Sequence, residues 1–324
     1  MNKYDRANLT VTEIDGDPDV ADAALLALSK REQRQKQYRR IHGKPNLIEE
    51  EHGAFMHDIR RIVLIDELRG LCVLAMVAFH CFFVLGSQFG AAWGMRAYEF
   101  FLPAQPAFAA MFILISGFCA RLSRDVKMRG IMLTVVAAGI TLATVLLLPW
   151  LGFSGMTVWF GIIHLLAASK FLFGLKPVKW ICDRIPAIVG LALCLAAFFF
   201  TSPVSQGYLG MFGFHWDLSE KLYQTNALAF LGFASPAFRA FDHFPLLPWF
   251  FIYMFGTFMG KLLRNEKSLD SEYGRERLPD FCYDIHSRFL NFLGRSSLAI
   301  YLLHVPVFYG VVYFFQMLFN VGKA

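Results

Sequence analysis

Asp66, Arg69 and His80 lie in one apolar stretch, Arg60 to Gly90, RRIVLIDELRGLCVLAMVAFHCFFVLGSQFG. At about 100° per residue, the eleven positions from Arg69 to His80 return to within roughly 20° of one helix face. The same interval covers about 16 Å along the axis. Asp66 sits one turn before Arg69 on that face. An acid, a guanidinium and an imidazole therefore line one side of one predicted helix. Ionisable groups are costly inside an apolar span, so they are read first as functional. A partly dehydrated imidazole can act as general base on a hydroxyl or amine, or can itself be acylated. Arg69 either neutralises charge on a substrate or pairs with Asp66.

The helix must sit in a membrane. Of 324 residues, 56% are hydrophobic and 17% charged, and 35 are Phe, which is the composition of a polytopic helical protein. The expected fold is an all-α transmembrane bundle of about seven spans, near 62–86, 103–121, 131–150, 157–175, 185–201, 245–263 and 297–319. The net charge of +6 does not point to nucleic acid, because the basic residues flank apolar segments. Placing the amino terminus in the cytosol puts 26 of the 31 Lys and Arg in the tail and inner loops, which sets the expected orientation. The six cysteines have no CxxC or metal-like spacing, so neither a disulfide framework nor a zinc site is expected.

Two units are expected, a polar tail over 1–59 and a membrane domain over 60–324. The tail is acidic before Ser29 and basic from Lys30 to Lys44. It reads as a solvated helix and linker, or as a basic helix against anionic lipid headgroups. Such a polar start leaves no cleaved signal peptide, and Arg60–Gly90 would act as a signal anchor. No internal repeat is evident, and an odd number of spans argues against two equal transporter halves. In the long outer segment, LSEKLYQTNALAFLGF is expected to be an interfacial helix capped by Ser219.

Three histidines fall within predicted spans: His80, His164 and His304. Counted from the predicted ends, His80 and His164 lie in the outer half and His304 about two turns from the inner end. They are not expected to converge, and no metal cluster is predicted. Asp242 and His243, before the sixth span, are candidates for an acceptor-side acid or orienting group. His215, Asp217 and Glu220 are weaker candidates, and Ser296 and Ser297 read as helix caps.

Five blocks in register resemble the heparan-α-glucosaminide N-acetyltransferase catalytic-domain family. They are IDELRG with MVAFH (65–80), FILISGFCARLSRDVKMRG (112–130), FGIIHLLAAS (160–169), DHFPLLPWFFIYMFGTFMGKLL (242–263) and LGRSSLAIYLLHVP (293–306). The Arg69/His80 spacing is also similar to the first helix of bacterial membrane acyltransferases that O-acylate surface polysaccharides. The resemblance implies transfer of an acetyl or acyl group from cytosolic acyl-CoA to a sugar or glycan acceptor across the membrane, with no metal. It nominates His80, Arg69, Asp66, His164 and Asp242 as catalytic. Arg69, Arg121, Arg124, Lys127, Arg129 and His304 are the candidate donor-binding set, since guanidinium forks suit phosphate. Lipid and a carbohydrate or glycolipid acceptor are the implied partners, with self-association a further option, and a bacterial inner membrane is the expected location. Two positions depart from the family pattern: Val84 stands where an acid commonly follows the first-helix histidine, and Val305 where Gln often follows the last. A carboxylate partner would orient the imidazole. Its loss keeps open two alternatives, a small-anion permease with Arg69 as counter-charge and a non-enzymatic membrane partner protein.

Overall fold

The computed structural model describes residues 62–87, 89–123, 125–150, 156–263 and 279–319. The tail over 1–59 and Arg124 lie outside the described residues. Residues Arg61–Ala324 belong to one compact unit.

Helix α1 (Val63–Ser87) is followed by α2 (Ala92–Phe101), α3 (Gln105–Leu122) and α4 (Val126–Leu142), which runs through a π-turn to Trp150. Next come α5 (Ile162–Phe173), α6 (Lys176–Arg184) and α7 (Ala187–Thr201). A two-stranded hairpin follows, β1 (Tyr208–Met211) with β2 (Phe214–Asp217), and the membrane part closes with α8 (Leu246–Leu263), α9 (Arg288–Arg295) and α10 (Ser297–Phe319). Pro106 and Pro177 occupy first-turn positions of α3 and α6, where a missing N–H costs nothing. The chain is an integral membrane protein: among the described residues, six helices are long and apolar enough to cross a bilayer. The expected fourth span is different, because its helix is the 12-residue α5, about 18 Å long at 1.5 Å per residue. Extended chain from Met156 to Gly161 supplies the rest of that stretch.

The expected interfacial helix is also absent. Its sequence forms two short 3₁₀ turns, Glu220–Tyr223 and Asn226–Leu231, and Ser219 makes no side-chain cap. The hairpin before it has no clear signal in the sequence. Phe212 and Gly213 both take positive φ, 52° and 87°, and Met211 pairs with Phe214, which is a two-residue turn of the mirror-image kind. Asn-Gly would have signalled that turn, whereas Phe-Gly does not.

Two helix crossings hold the bundle together at backbone distance. A Cβ on Gly294 of α9 would lie 1.7 Å from the Asp66 carbonyl oxygen, and one on Gly70 of α1 would lie 2.0 Å from that of Leu290. At the α3–α8 crossing, a Cβ on Gly117 would lie 1.9 Å from the Tyr253 oxygen, and one on Gly256 would lie 2.1 Å from that of Leu114. Lipid tails are as apolar as side chains, so helix association in a bilayer depends on such close packing. Around the second crossing, Ile113, Leu165, Phe173, Tyr253 and Phe258 form the buried core.

Gly117→Ala is therefore expected to force α3 from α8 and cost about 1–3 kcal/mol by overpacking. Gly139→Ala, whose Cβ meets nothing within 4 Å, is the control. Thermal unfolding in detergent should show a lower Tm for the first variant only.

Candidate active site

The site is built from the extended chain before α5. Thr141 donates to the Val158 carbonyl at 3.0 Å, and Val158 N–H donates to Thr144 Oγ1 at 3.1 Å, so the helix from α4 to Trp150 holds this segment by two hydroxyls. The segment 241–244 then laces onto it: Phe241 N–H donates to Thr157 O and Phe244 N–H to Phe160 O, both at 2.9 Å. This places Asp242 at the start of α5. Its Oδ2 accepts from Ile162 N–H at 3.1 Å and from the Tyr301 hydroxyl at 2.6 Å. Gly161 leaves the room, since a Cβ there would sit 2.2 Å from the same oxygen. A carboxylate at a helix amino terminus complements the backbone dipole. Burial pushes the Asp242 carboxyl above the usual range, against the lowering effect of these two hydrogen bonds.

His80 and His304 do converge, with Nδ1 of His80 and Nε2 of His304 2.9 Å apart and the rings stacked at 5.1 Å. The expectation that the histidines stay apart therefore fails for this pair, and Arg288–Arg295 forms helix α9 packed on α1. Gly294 lies against Asp66 near the start of α1, and α10 follows directly with His304 about two turns in.

The hydrogen bonds fix the tautomers. His304 Nδ1 faces the carbonyls of Tyr301 at 2.7 Å and Ile300 at 3.2 Å, and carbonyls only accept, so Nδ1 carries the proton. His304 Nε2 is then an acceptor, and His80 must donate to it through Nδ1. That leaves His80 Nε2 with its lone pair free among the described residues. His304 thus fills the orienting role that a carboxylate at position 84 would have had, and Val84 is buried. Phe241 packs on the His80 ring at 5.0 Å.

His164 belongs to a separate network. Its Nδ1 accepts from Gly161 N–H at 3.3 Å, so Nε2 carries the proton and donates to Thr141 Oγ1 at 2.9 Å. Both ring nitrogens are thereby engaged in holding the start of α5. His243 pairs by its backbone with Phe160 and sets its ring edge-on to Phe238. His215 and Asp217 bond each other at 2.7 Å on the exposed hairpin.

At the basic-loop end, Arg69 donates to Asp66 at 3.4 Å and to Cys119 Sγ at 3.2 Å. Lys170 of α5, to which sequence reasoning assigns no role, also lies here. Its Nζ donates to Ser116 at 2.7 Å, lies over the Tyr253 ring and is within electrostatic reach of Arg69 and Arg129. The hydroxyls of Ser169 and Tyr253 are buried without a hydrogen-bond partner among the described residues. Arg121 is buried and bonds Asp183 at 2.5 Å, tying α3 to α6, whereas Lys127 and Arg129 are exposed. Glu67, next to Asp66, is buried and accepts the backbone N–H of His286 and Ser287, both at 2.8 Å, which anchors the start of α9. Two signals in the sequence point to the missed residues: Lys170 is a charge within a span, and Tyr301 lies one turn before His304.

The family model for heparan-α-glucosaminide N-acetyltransferase, catalytic, matches residues 61–306, about three quarters of the chain. The chain belongs to that family. It is thereby a member of a membrane acetyltransferase family, and the expectation drawn from the five sequence blocks holds. No curated protein and no solved structure matches it.

Because both donors reach one Asp242 oxygen, Asp242→Asn is expected to keep the folded site. Asp242→Ala leaves the Tyr301 hydroxyl and Ile162 N–H without this acceptor, a loss of about 1–3 kcal/mol. Thermal unfolding of the two variants, side by side in detergent, checks the contrast.

Proposed function

We propose that the protein moves an acetyl or acyl group from acyl-CoA to a sugar or glycan acceptor, with His80 as the base. The free Nε2 of His80, fixed by the His304 hydrogen bond, is the observation that carries this reading. In the proposed step, the acceptor hydroxyl or amine attacks the thioester carbonyl. Its proton passes to His80 Nε2, and the coenzyme thiolate leaves. The imidazolium so formed keeps its Nδ1–H bond to His304, the role a carboxylate has in a catalytic triad. General-base assistance of this kind contributes on the order of 10²–10⁴-fold in rate.

The basic-loop end suits the donor. Lys127 and Arg129 are exposed there, and the half-buried Arg69 and Lys170 lie close together with Asp66 beside Arg69. A phosphate-bearing ligand would complement this concentration of positive charge. The unpartnered hydroxyls of Ser169 and Tyr253 add donors for a polar chain threading inward. Arg121 and Asp183 brace the rim. On this reading the basic end faces the cytosol, the histidine end faces the acceptor, and the membrane is a bacterial inner membrane. His164 and Asp242 act by position, holding α5 and Tyr301 around the histidine pair.

Membranes carrying the protein, supplied with labelled acetyl-CoA and a panel of amino sugars and glycans, should yield acylated acceptor. His80→Ala is expected to lower turnover about 10²–10⁴-fold. His304→Ala should lower it less and shift the pH–rate profile, since it leaves the base present but unoriented. Turnover unchanged in His80→Ala, or solute uptake into vesicles that needs no acyl-CoA, would sink the proposal.

A further inference from the structure

We infer that the cavity between the 157–160 segment and the 226–239 segment is the acceptor subsite, and that it selects a sugar carrying a carboxylate or phosphate. This rests on the acyl-transfer reading and names the acceptor class for it. The cavity has a volume of about 570 Å³ and is lined by Trp159, Phe160, Phe230, Phe238, Asn226 and Arg239, with two alanines. That size is within the range of small-ligand sites, which pair apolar walls with a few placed polar groups.

The walls are aromatic. Phe160 and Phe230 stand 6.0 Å apart, and Trp159 is 51% exposed. The face of an aromatic ring is electron-rich, so it suits the C–H face of a pyranose. The polar groups are held in place. Asn226 Oδ1 accepts from Ser235 N–H at 3.2 Å, which leaves its amide NH₂ to donate to a ligand. Arg239 Nη1 donates to the carbonyls of Pro236 and Phe238, each at 2.9 Å, which sets the guanidinium plane. Among the described residues no acid pairs with Arg239, and its remaining donors form the fork that binds carboxylate or phosphate bidentately.

The cavity lining and the histidine site are joined through one short segment. Phe238 lines the cavity and Phe241 lies on His80, and three extended residues reach at most about 10 Å. The same two segments are bonded to each other at Phe241–Thr157 and Phe244–Phe160.

Binding of three probes to the full-length protein in detergent, without acyl donor, tests this by calorimetry: glucosamine, glucuronate and glucosamine 6-phosphate. The anionic sugars should bind about tenfold tighter than the neutral one, as a bidentate Arg contact provides. Arg239→Gln should erase that preference and retain weak neutral binding, Arg239→Lys should restore part of it, and Trp159→Ala should weaken all three. Equal affinity for neutral and anionic sugars, or a preference that survives Arg239→Gln, overturns the inference. Acyl transfer that depends on His80 but ignores Arg239 and Trp159 also overturns it and leaves the acyltransferase reading standing. Anionic-sugar binding that depends on Arg239, with no turnover from any donor, supports the subsite and defeats that reading.

Discussion

The bundle depends on two backbone-to-backbone crossings in which glycine is the one residue that fits. At Gly70/Gly294 the α1 and α9 backbones touch, and at Gly117/Gly256 those of α3 and α8 do. In a bilayer no hydrophobic gain separates a packed apolar side chain from a lipid-exposed one, so packing distance decides which helices stay together. Each crossing carries chemistry with it. The first sets α9 across α1 beside Asp66 and Glu67. The second buries Tyr253 beside Lys170 and places Ser116, one residue before Gly117, within bonding distance of that lysine.

The histidine pair shows how a polar site is kept ordered where water is scarce. One proton position is dictated by a helix carbonyl, that of Tyr301, and it propagates: His304 must accept, His80 must donate, and one nitrogen is left over. A carboxylate one turn along α1 could orient His80 from within its own helix. Here the orientation comes from α10 instead, through His304. Asp242 adds a second tie, linking the start of α5 to Tyr301 on the turn that supports His304.

Much of this architecture is legible in the sequence, though unevenly. Apolar runs of about 20 residues dictate helices in a membrane, because every backbone group must be satisfied internally. The Asp66/Arg69/His80 face follows from helical periodicity alone. Convergence of His304 does not, because His80 and His304 stand 224 residues apart and only the packing of two helices brings them together. Lys170 is visible as a charge in a span, but Ser116 lies 54 residues away in sequence and no local pattern links them. The hairpin is hidden because its turn is Phe-Gly, and α5 resembles a full span because its flanking extended chain is equally apolar.

The short helix α5 explains how the two ends of the site are connected. A span of 12 residues is too short for a bilayer by itself, and α5 is buried rather than lipid-facing over much of its length. Its start is held by Asp242, His164 and, through them, Thr141 and Tyr301. Eight residues further, about 12 Å along the axis, it carries Lys170 into the cationic cluster with Arg69. Helix α1 makes the same connection, about 16 Å from Arg69 to His80. Two rigid rods of similar reach therefore join the basic end to the histidine end. A group transferred between them needs a linker of that length, and under the proposed chemistry the flexible arm of coenzyme A supplies it while neither helix has to move.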